Sequence, residues 1–142
     1  VHAPVADNAL LLKAGEHLMR LVCEPQPWER FVWNVTRHPR LNAHPSTLDH
    51  TPWQADAFAN EAAPNAWFRS ERQTFIPLPA EQQAVFTIAT DCLPLTEVIH
   101  TPARAALLHE AIATMSPAVL AYRSLTDVRE PLLAWLKRRA AA

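Results

Sequence analysis

The segment WFRSERQTFIPLPAEQQAVFTIATDCLPL, residues 67–95, decides the fold of this chain. Apolar and polar residues alternate along both halves of the segment, which is the pattern of half-buried β-strands. The proline-containing stretch between the halves predicts a hairpin whose connection is longer than two residues. We therefore expect paired strands over residues 66–76 and 84–92.

The first of these strands is unusual because it carries polar groups on both of its faces. Alternation places Arg69, Glu71 and Gln73 on one face and Ser70, Arg72 and Thr74 on the other. An ordinary strand gives one face to the core, and buried charges are costly unless they are paired. The strand therefore either forms a network of ion pairs or lines a binding site.

The composition is that of a folded domain and excludes several classes of function. The chain has 142 residues, of which 49% are hydrophobic and 19% are charged, and its formal net charge is -1. Such a balance argues against a nucleic-acid surface or an anionic membrane surface of any size. The one glycine, Gly15, excludes phosphate-binding loops and dinucleotide fingerprints, because both need several glycines.

No membrane span or signal peptide is predicted. No apolar run approaches the roughly 18 residues of a spanning helix, and the first residues, VHAPVADNALLLK, lack a basic leader. The two cysteines, Cys23 and Cys92, are expected to be buried thiols rather than a disulfide framework or a metal site. We therefore expect a cytoplasmic protein, and the missing initial Met indicates the C-terminal part of a longer chain.

The remaining segments predict an α+β fold with an antiparallel sheet. A helix is expected over residues 8–23 and a further strand over 29–37. An irregular stretch rich in proline and histidine follows over 38–65. Helices are expected at the C-terminal end, the first two with proline in the first turn, over 101–115, 116–122 and 127–139.

Histidines provide one set of candidates for chemistry. His38, His44 and His50 are six residues apart among prolines, so ordinary loop histidines are a better interpretation than a zinc site. His2 differs because it lies in the apolar run VHAPV. A neutral imidazole in an apolar pocket suits an axial ligand of haem iron. A core histidine bonded to a carbonyl oxygen is the alternative.

The polar strand provides the other candidates. Arg69 and Arg72 could bind carboxylates, such as haem propionates, through bidentate hydrogen bonds. A structural Arg–Glu network is the alternative for both. Glu71 could be one member of an acid–base pair, although no second carboxylate is identified. No nucleophile is recognised, because a serine elbow needs glycines and neither cysteine has a neighbouring histidine in sequence.

The run FRSERQTFIPLP followed by AVFTIATDCLPL resembles the haem-dependent oxidative N-demethylase family. The family pattern is Arg-x-Glu-Arg-Gln-Thr-Leu, then Leu-Pro, then Phe-Thr-Ile, and this chain matches it with Phe75 in place of the leucine. Upstream, VHAPV resembles an Ile-His-x-Pro-Val motif, and ERFVWNV resembles an Arg-x-Asn-Trp strand. The chain departs from the family at Val32, where Asn is usual, at Ala89, where Arg is usual, and at Asp91-Cys92, which replaces an aromatic stretch.

The resemblance covers nearly the whole chain and implies a fold and an activity. Residues 1–142 are expected to be the C-terminal part of a single PAS-like haem-binding domain that ends in a helical segment over 101–142. Helices flank its antiparallel sheet, and the first strands lie in an N-terminal remainder of the same protein. The implied activity is haem b-dependent monooxygenation of a small secondary amine such as dimethylamine, with release of formaldehyde. Electrons come from NADPH through a partner reductase with flavin and iron–sulfur centres.

The resemblance also implies roles for individual residues. His2 is expected to ligate the haem iron, and Arg69 and Arg72 are expected to bind the propionates or line the pocket. Glu71 is expected to position the cationic amine. The other pocket-lining candidates are Trp33, Thr74 and Thr87. Two alternatives remain: a PAS-like module that binds haem or another small molecule without turnover, and a domain whose polar strand is only a structural salt-bridge network.

Overall fold

The structure is a computed structural model that describes residues 8–42, 44, 51–54, 56–60 and 64–142. These residues form an antiparallel three-stranded sheet flanked by helices, which confirms the predicted α+β class. None of the helices in the described ranges has the length and apolar character needed to cross a bilayer.

The predicted N-terminal helix is divided into α1 (Asn8–Lys13) and α2 (Gly15–Cys23). Ala14 lies between the two helices, and the one glycine of the chain begins the second. Glycine is about 1 kcal/mol less favourable than alanine inside a helix. Residues 8–23 are therefore helical on both sides of Ala14, and the prediction of one continuous helix was wrong.

The strands are β1 (Trp28–Thr36), β2 (Trp67–Leu78) and β3 (Gln83–Pro94), and they lie side by side in that order. A 3-10 turn, Pro79–Glu81, and Gln82 connect β2 to β3. Gln82 has a φ of 51°, in the left-handed region, which lets the chain reverse direction. The hairpin connection is therefore longer than two residues, as the sequence predicts.

Contacts between side chains fix the register of the strands. The Trp28 ring stacks on Phe75 with 4.2 Å between centroids, and Arg30 Nε donates to Gln73 Oε1 at 2.7 Å. When the contact moves two residues forward along β1, from Trp28 to Arg30, it moves two residues back along β2, from Phe75 to Gln73. This is the register of an antiparallel pair. Phe75 stacks in turn on Phe86 of β3, with 4.5 Å between centroids. Trp28, Phe75 and Phe86 form an aromatic row across the three strands.

The chain divides into two compact units, each described separately below. The first unit takes its described residues from Val1–Trp33 and Ser70–Asp91. It contains α1, α2, the first part of β1 and the β2–β3 hairpin from Ser70 to Asp91. The second unit takes its described residues from Asn34–Arg69 and Cys92–Ala142.

Helices dominate the second unit. They are α3 (Leu95–Val98), α4 (Pro102–Ala113), α5 (Pro117–Tyr122) and α6 (Arg129–Ala140), with α4 packed against α6. Thr101 and Ser116 cap α4 and α5 with their side chains, and a proline follows each cap, as the sequence predicts.

Large apolar side chains form the core of the second unit. Trp135 of α6 is fully buried, together with leucines of the same helix. Phe58 lies against Trp135, and Trp53 lies against Phe58, with ring centroids 6.2 Å and 5.7 Å apart. The Trp53 indole donates to the carbonyl oxygen of Ser124 at 2.8 Å. The ring contacts and this hydrogen bond join the segment before β2 to the C-terminal helices.

Candidate functional site

Alternation gives the sheet of the first unit two faces, which we name after neighbouring residues of β2. The Glu71 face carries the aromatic row; its members are Trp28, Arg30, Val32, Glu71, Gln73, Phe75, Phe86, Ile88 and Thr90. The Arg72 face carries the residues between them; its members are Glu29, Phe31, Trp33, Arg72, Thr74, Ile76, Val85, Thr87, Ala89 and Asp91.

A chain of hydrogen bonds joins three polar side chains on the Glu71 face. Arg30 Nε donates to Gln73 Oε1 at 2.7 Å, and Gln73 Nε2 donates to Glu71 Oε2 at 2.8 Å. The Arg30 guanidinium also lies 5.8 Å from the centroid of Phe75, within the range of a cation–π attraction. Gln73 is only 7% exposed. The buried amide of Gln73 is therefore satisfied by an exposed arginine and a half-buried glutamate of the same face.

The Arg72 face has no such chain of bonds among the described residues, and its exposed apolar side chains lie among the exposed charged residues Glu29, Arg72 and Asp91. Phe31, Ile76 and Val85 of this face are 66%, 43% and 46% exposed, and Phe86 and Ile88 of the Glu71 face are 45% and 51% exposed. The Arg72 side chain is exposed beside Phe31 and makes no hydrogen bond or ion pair with another described residue. One exposed apolar side chain is ordinary, but several on one face mark a surface that a ligand or another segment covers.

The structure separates the predicted site residues of the first unit into two groups. The residues assigned to cofactor or pocket share the Arg72 face: Trp33, Arg72, Thr74 and Thr87. Glu71, assigned to the amine, lies on the opposite face of the same strand and is bonded to Gln73. Of the three residues that alternation places on one face, Glu71 and Gln73 share a direct hydrogen bond, whereas Arg69 bonds to the carbonyl oxygen of Leu41.

The other two predicted residues lie elsewhere. Arg69 belongs to the second unit, where its Nη2 donates to the carbonyl oxygen of Leu41 at 3.0 Å. This bond ties the beginning of the long irregular stretch to β2. His2 lies outside the described residues, so its role as a haem ligand stays a prediction.

Sequence reasoning missed Arg30 as a partner of the polar strand. Arg30 matches the Arg-x-Asn-Trp motif of the family that the chain resembles, but 43 residues separate it from Gln73. No local pattern connects positions so far apart. The pair can be found only by combining the alternation of residues along each strand with the register between the two strands.

Cys92 has a protected environment in the second unit. Its Sγ donates to the carbonyl oxygen of His38 at 3.9 Å, and Thr36 Oγ1 donates to the same oxygen at 2.9 Å. Burial raises the pKa of the Cys92 thiol, while hydrogen bonding with Thr36 and the charge of Arg69 oppose the rise. The thiolate is the nucleophilic form of cysteine, so this environment favours a structural thiol.

A cavity in the second unit is too small for a large ligand. Its volume is ≈ 70 Å³, and its lining includes Arg37, Trp53 and Asn65. Small-molecule pockets usually enclose at least about 300 Å³. Within the described ranges, no three His, Cys, Asp or Glu side chains converge into a metal site. The Arg72 face is therefore the better candidate for a large planar ligand.

Comparison with known families agrees with the motifs on β1 and β2. A family model described as haem-dependent oxidative N-demethylase, alpha subunit-like, matches residues 1–133. The matched range includes all three strands and the helices up to the first part of α6. Its description implies dependence on haem and an oxidoreductase activity. The chain therefore belongs to the haem-dependent oxidative N-demethylase, alpha subunit-like family.

Proposed function

We propose that this chain forms part of a haem b-dependent monooxygenase that demethylates a small secondary amine, such as dimethylamine, and releases formaldehyde. Membership of the family supports the class of reaction. The observation that carries the proposal at the level of residues is the Arg72 face, where an arginine lies among exposed apolar side chains.

The chemistry of the Arg72 face fits haem b. A porphyrin needs an apolar surface for its plane, which Phe31, Ile76 and Val85 offer. Its propionates need cations, and the Arg72 guanidinium is a planar donor that binds a carboxylate through two parallel hydrogen bonds. The other pocket candidates project from the same face: Trp33, Thr74 and Thr87. His2 would hold the haem iron, and Arg69 stays a candidate for contact with the propionates or the pocket.

Bound haem supplies the iron that activates dioxygen for oxidation of the N-methyl group. In that reaction the methyl carbon leaves as formaldehyde with one oxygen atom, and the carbon–nitrogen bond breaks. The nitrogen keeps its electron pair and takes a proton. The second oxygen atom becomes water with two electrons and one proton from NADPH and one further proton from solvent. A partner reductase with flavin and iron–sulfur centres delivers the electrons. The residues of this chain hold the macrocycle and exclude water from its covered side.

Partners are part of the proposal. The description of the family as alpha subunit-like supports a multi-subunit assembly, in which the reductase delivers electrons. The N-terminal remainder of the same protein would complete a PAS-like sheet. We place the reaction in the cytoplasm, where NADPH is available.

The place of Glu71 limits its proposed role toward the amine. Its carboxylate lies on the opposite face of β2 from Arg72 and Thr74. An amine meets Glu71 directly only if it approaches the Glu71 face. With haem on the Arg72 face, Glu71 acts on the site through the strand rather than by contact.

A haem-binding or small-molecule-binding sensor module without turnover is the second candidate. The Arg72 face favours it as well, because an open apolar surface with one cation suits a ligand whether or not the ligand reacts. The two candidates differ in whether bound haem leads to formaldehyde.

Spectroscopy and product analysis of the full protein test the proposal. Addition of haem is expected to give a Soret band, and NADPH, reductase and dimethylamine are then expected to give formaldehyde. His2→Ala should abolish the Soret band of the native complex. His17→Ala is the matched control, because His17 is an exposed histidine of α2.

Three results would change the proposal. Absence of a Soret band in the unsubstituted protein would overturn the monooxygenase and the haem sensor, and would leave only a module that binds another small molecule. A Soret band without reductase-dependent formaldehyde would leave the sensor module. An unchanged spectrum in the His2 variant would remove this residue as a ligand.

A further inference from the structure

Among the described residues, Gln73 is the one polar residue that is buried. A buried amide is costly unless its oxygen and its nitrogen both have hydrogen-bond partners. Here the oxygen accepts from Arg30 at 2.7 Å and the nitrogen donates to Glu71 at 2.8 Å. The amide is therefore satisfied by two groups of opposite charge.

The chemistry of the two neighbours allows one orientation of the Gln73 amide. A guanidinium only donates hydrogen bonds, and an ionised carboxylate only accepts them. Turning the amide over would set its NH2 group against Arg30 and its oxygen against Glu71. Gln73 therefore acts as an adaptor between a cation and an anion.

Spacing along the strands explains why an adaptor is needed. Arg30 neighbours Gln73 across the β1–β2 pair, whereas Glu71 lies two residues away along β2, at about 6–7 Å. The chain of bonds thus runs across the sheet and then along the strand. It ties the backbone of β2 at two positions to β1.

From this geometry we infer that Gln73 is a positioning residue, which holds Arg72 and Thr74 in place for the ligand on the opposite face. Residue 72 lies between the two tied positions, and residue 74 follows the second, so fixing 71 and 73 fixes the backbone from which both side chains project. The inference rests on the proposed function, because it takes Arg72 and Thr74 as contacts of haem.

Two variants of the full protein separate this role from others. Gln73→Leu keeps the approximate size of the side chain and removes both hydrogen bonds. The double variant Glu71→Gln with Gln73→Glu exchanges the carboxylate and the amide, so that Arg30 and Gln at 71 both donate to Glu at 73. The exchange keeps the net charge and keeps two hydrogen bonds in the chain from residue 30 through residue 73 to residue 71. Gln83→Leu is the matched control, because Gln83 is an exposed glutamine at the start of β3.

Two readouts are measured for each variant: the thermal unfolding midpoint without haem, and the rate at which bound haem transfers to excess apomyoglobin. Gln73→Leu is expected to lower the midpoint by about 3–6 °C. It is also expected to speed haem loss about tenfold, because Arg72 and Thr74 lose their fixed backbone. The exchanged double variant is expected to restore both values, and the control is expected to change neither.

Two outcomes would overturn the inference. The first is haem loss in Gln73→Leu at the unsubstituted rate. The second is a double variant that regains the unfolding midpoint but still loses haem rapidly, because the carboxylate of Glu71 would then act on the ligand directly. Failure of the proposed function is a different result, in which the unsubstituted protein shows no Soret band at all.

Discussion

The two faces of β2 in the first unit carry similar residues and use them differently. On the Glu71 face, an arginine, an amide and a carboxylate bond to one another at 2.7 Å and 2.8 Å. On the Arg72 face, an exposed arginine lies beside exposed apolar side chains and enters no such chain within the described residues.

The difference shows that the surroundings of an arginine on a strand indicate whether it stabilises the sheet or is available to a ligand. Arg30 is committed to an internal bond and supports the sheet. Arg72 lies in a setting that suits an apolar ligand with carboxylates. The two alternatives left open by the sequence, a structural network and a binding site, are therefore compatible, because each occupies its own face.

The largest effect is expected from a matched pair of phenylalanine variants. Phe75→Ala removes the centre of the aromatic row and should lower the free energy of unfolding by about 2–3 kcal/mol, less than for a fully buried phenylalanine. Phe31→Ala, on the exposed Arg72 face, should change it by less than about 1 kcal/mol but should weaken haem binding. Urea unfolding without haem and haem titration measure the two effects. Equal losses of stability would remove the distinction between the faces.

A matched pair of arginine variants should give an intermediate effect. Arg30→Met removes a charge-assisted hydrogen bond and a cation–π contact, and should lower the free energy of unfolding by about 1–2 kcal/mol. Arg72→Met should leave unfolding within about 0.5 kcal/mol and weaken haem binding about tenfold. The same unfolding and titration experiments apply. A stability loss confined to the Arg72 variant would reverse the assignment of the two faces.

The smallest effect is expected in thiol labelling, which reports exposure without changing stability. In a Cys23→Ser background, a cysteine introduced by Thr87→Cys should react rapidly with maleimide, and haem should protect it. Cys92 should react slowly at neutral pH because burial raises its pKa. Its rate should rise as the pH approaches that raised pKa and the thiolate forms. Mass spectrometry follows both sites, and labelling at 87 that haem leaves unchanged would place haem elsewhere.

Local signals predicted much of the fold. Alternation predicted β2 and β3, and Thr101-Pro102 and Ser116-Pro117 predicted the starts of α4 and α5. The ends of the strands were less predictable, because β2 continues past Pro77. By the register, Pro77 lies beyond the first residue of β1, where β2 has one neighbour and a missing N–H is tolerated.

The candidate site was only partly predictable for a physical reason. A period of two separates the residues of a strand into two faces, but it does not say which face is paired and which is open. That choice depends on Arg30, far away in sequence, and on the exposure of Phe31 and Val85. Alternation alone separated Glu71 from Arg72 and Thr74, whereas the position of Trp33 and Thr87 on the Arg72 face needed the register of three strands. The bond of Arg69 to Leu41 was not predictable from the strand pattern.

The position of β3 has a consequence for how the protein avoids aggregation. Among the described strands, β3 has β2 on one side and no strand on the other. Residues 84–90, AVFTIAT, contain neither a charge nor a proline. Such a segment on an open edge is a template for cross-β stacking between chains. A segment or partner that pairs with this edge would therefore also protect the newly made chain from stacking with its own copies.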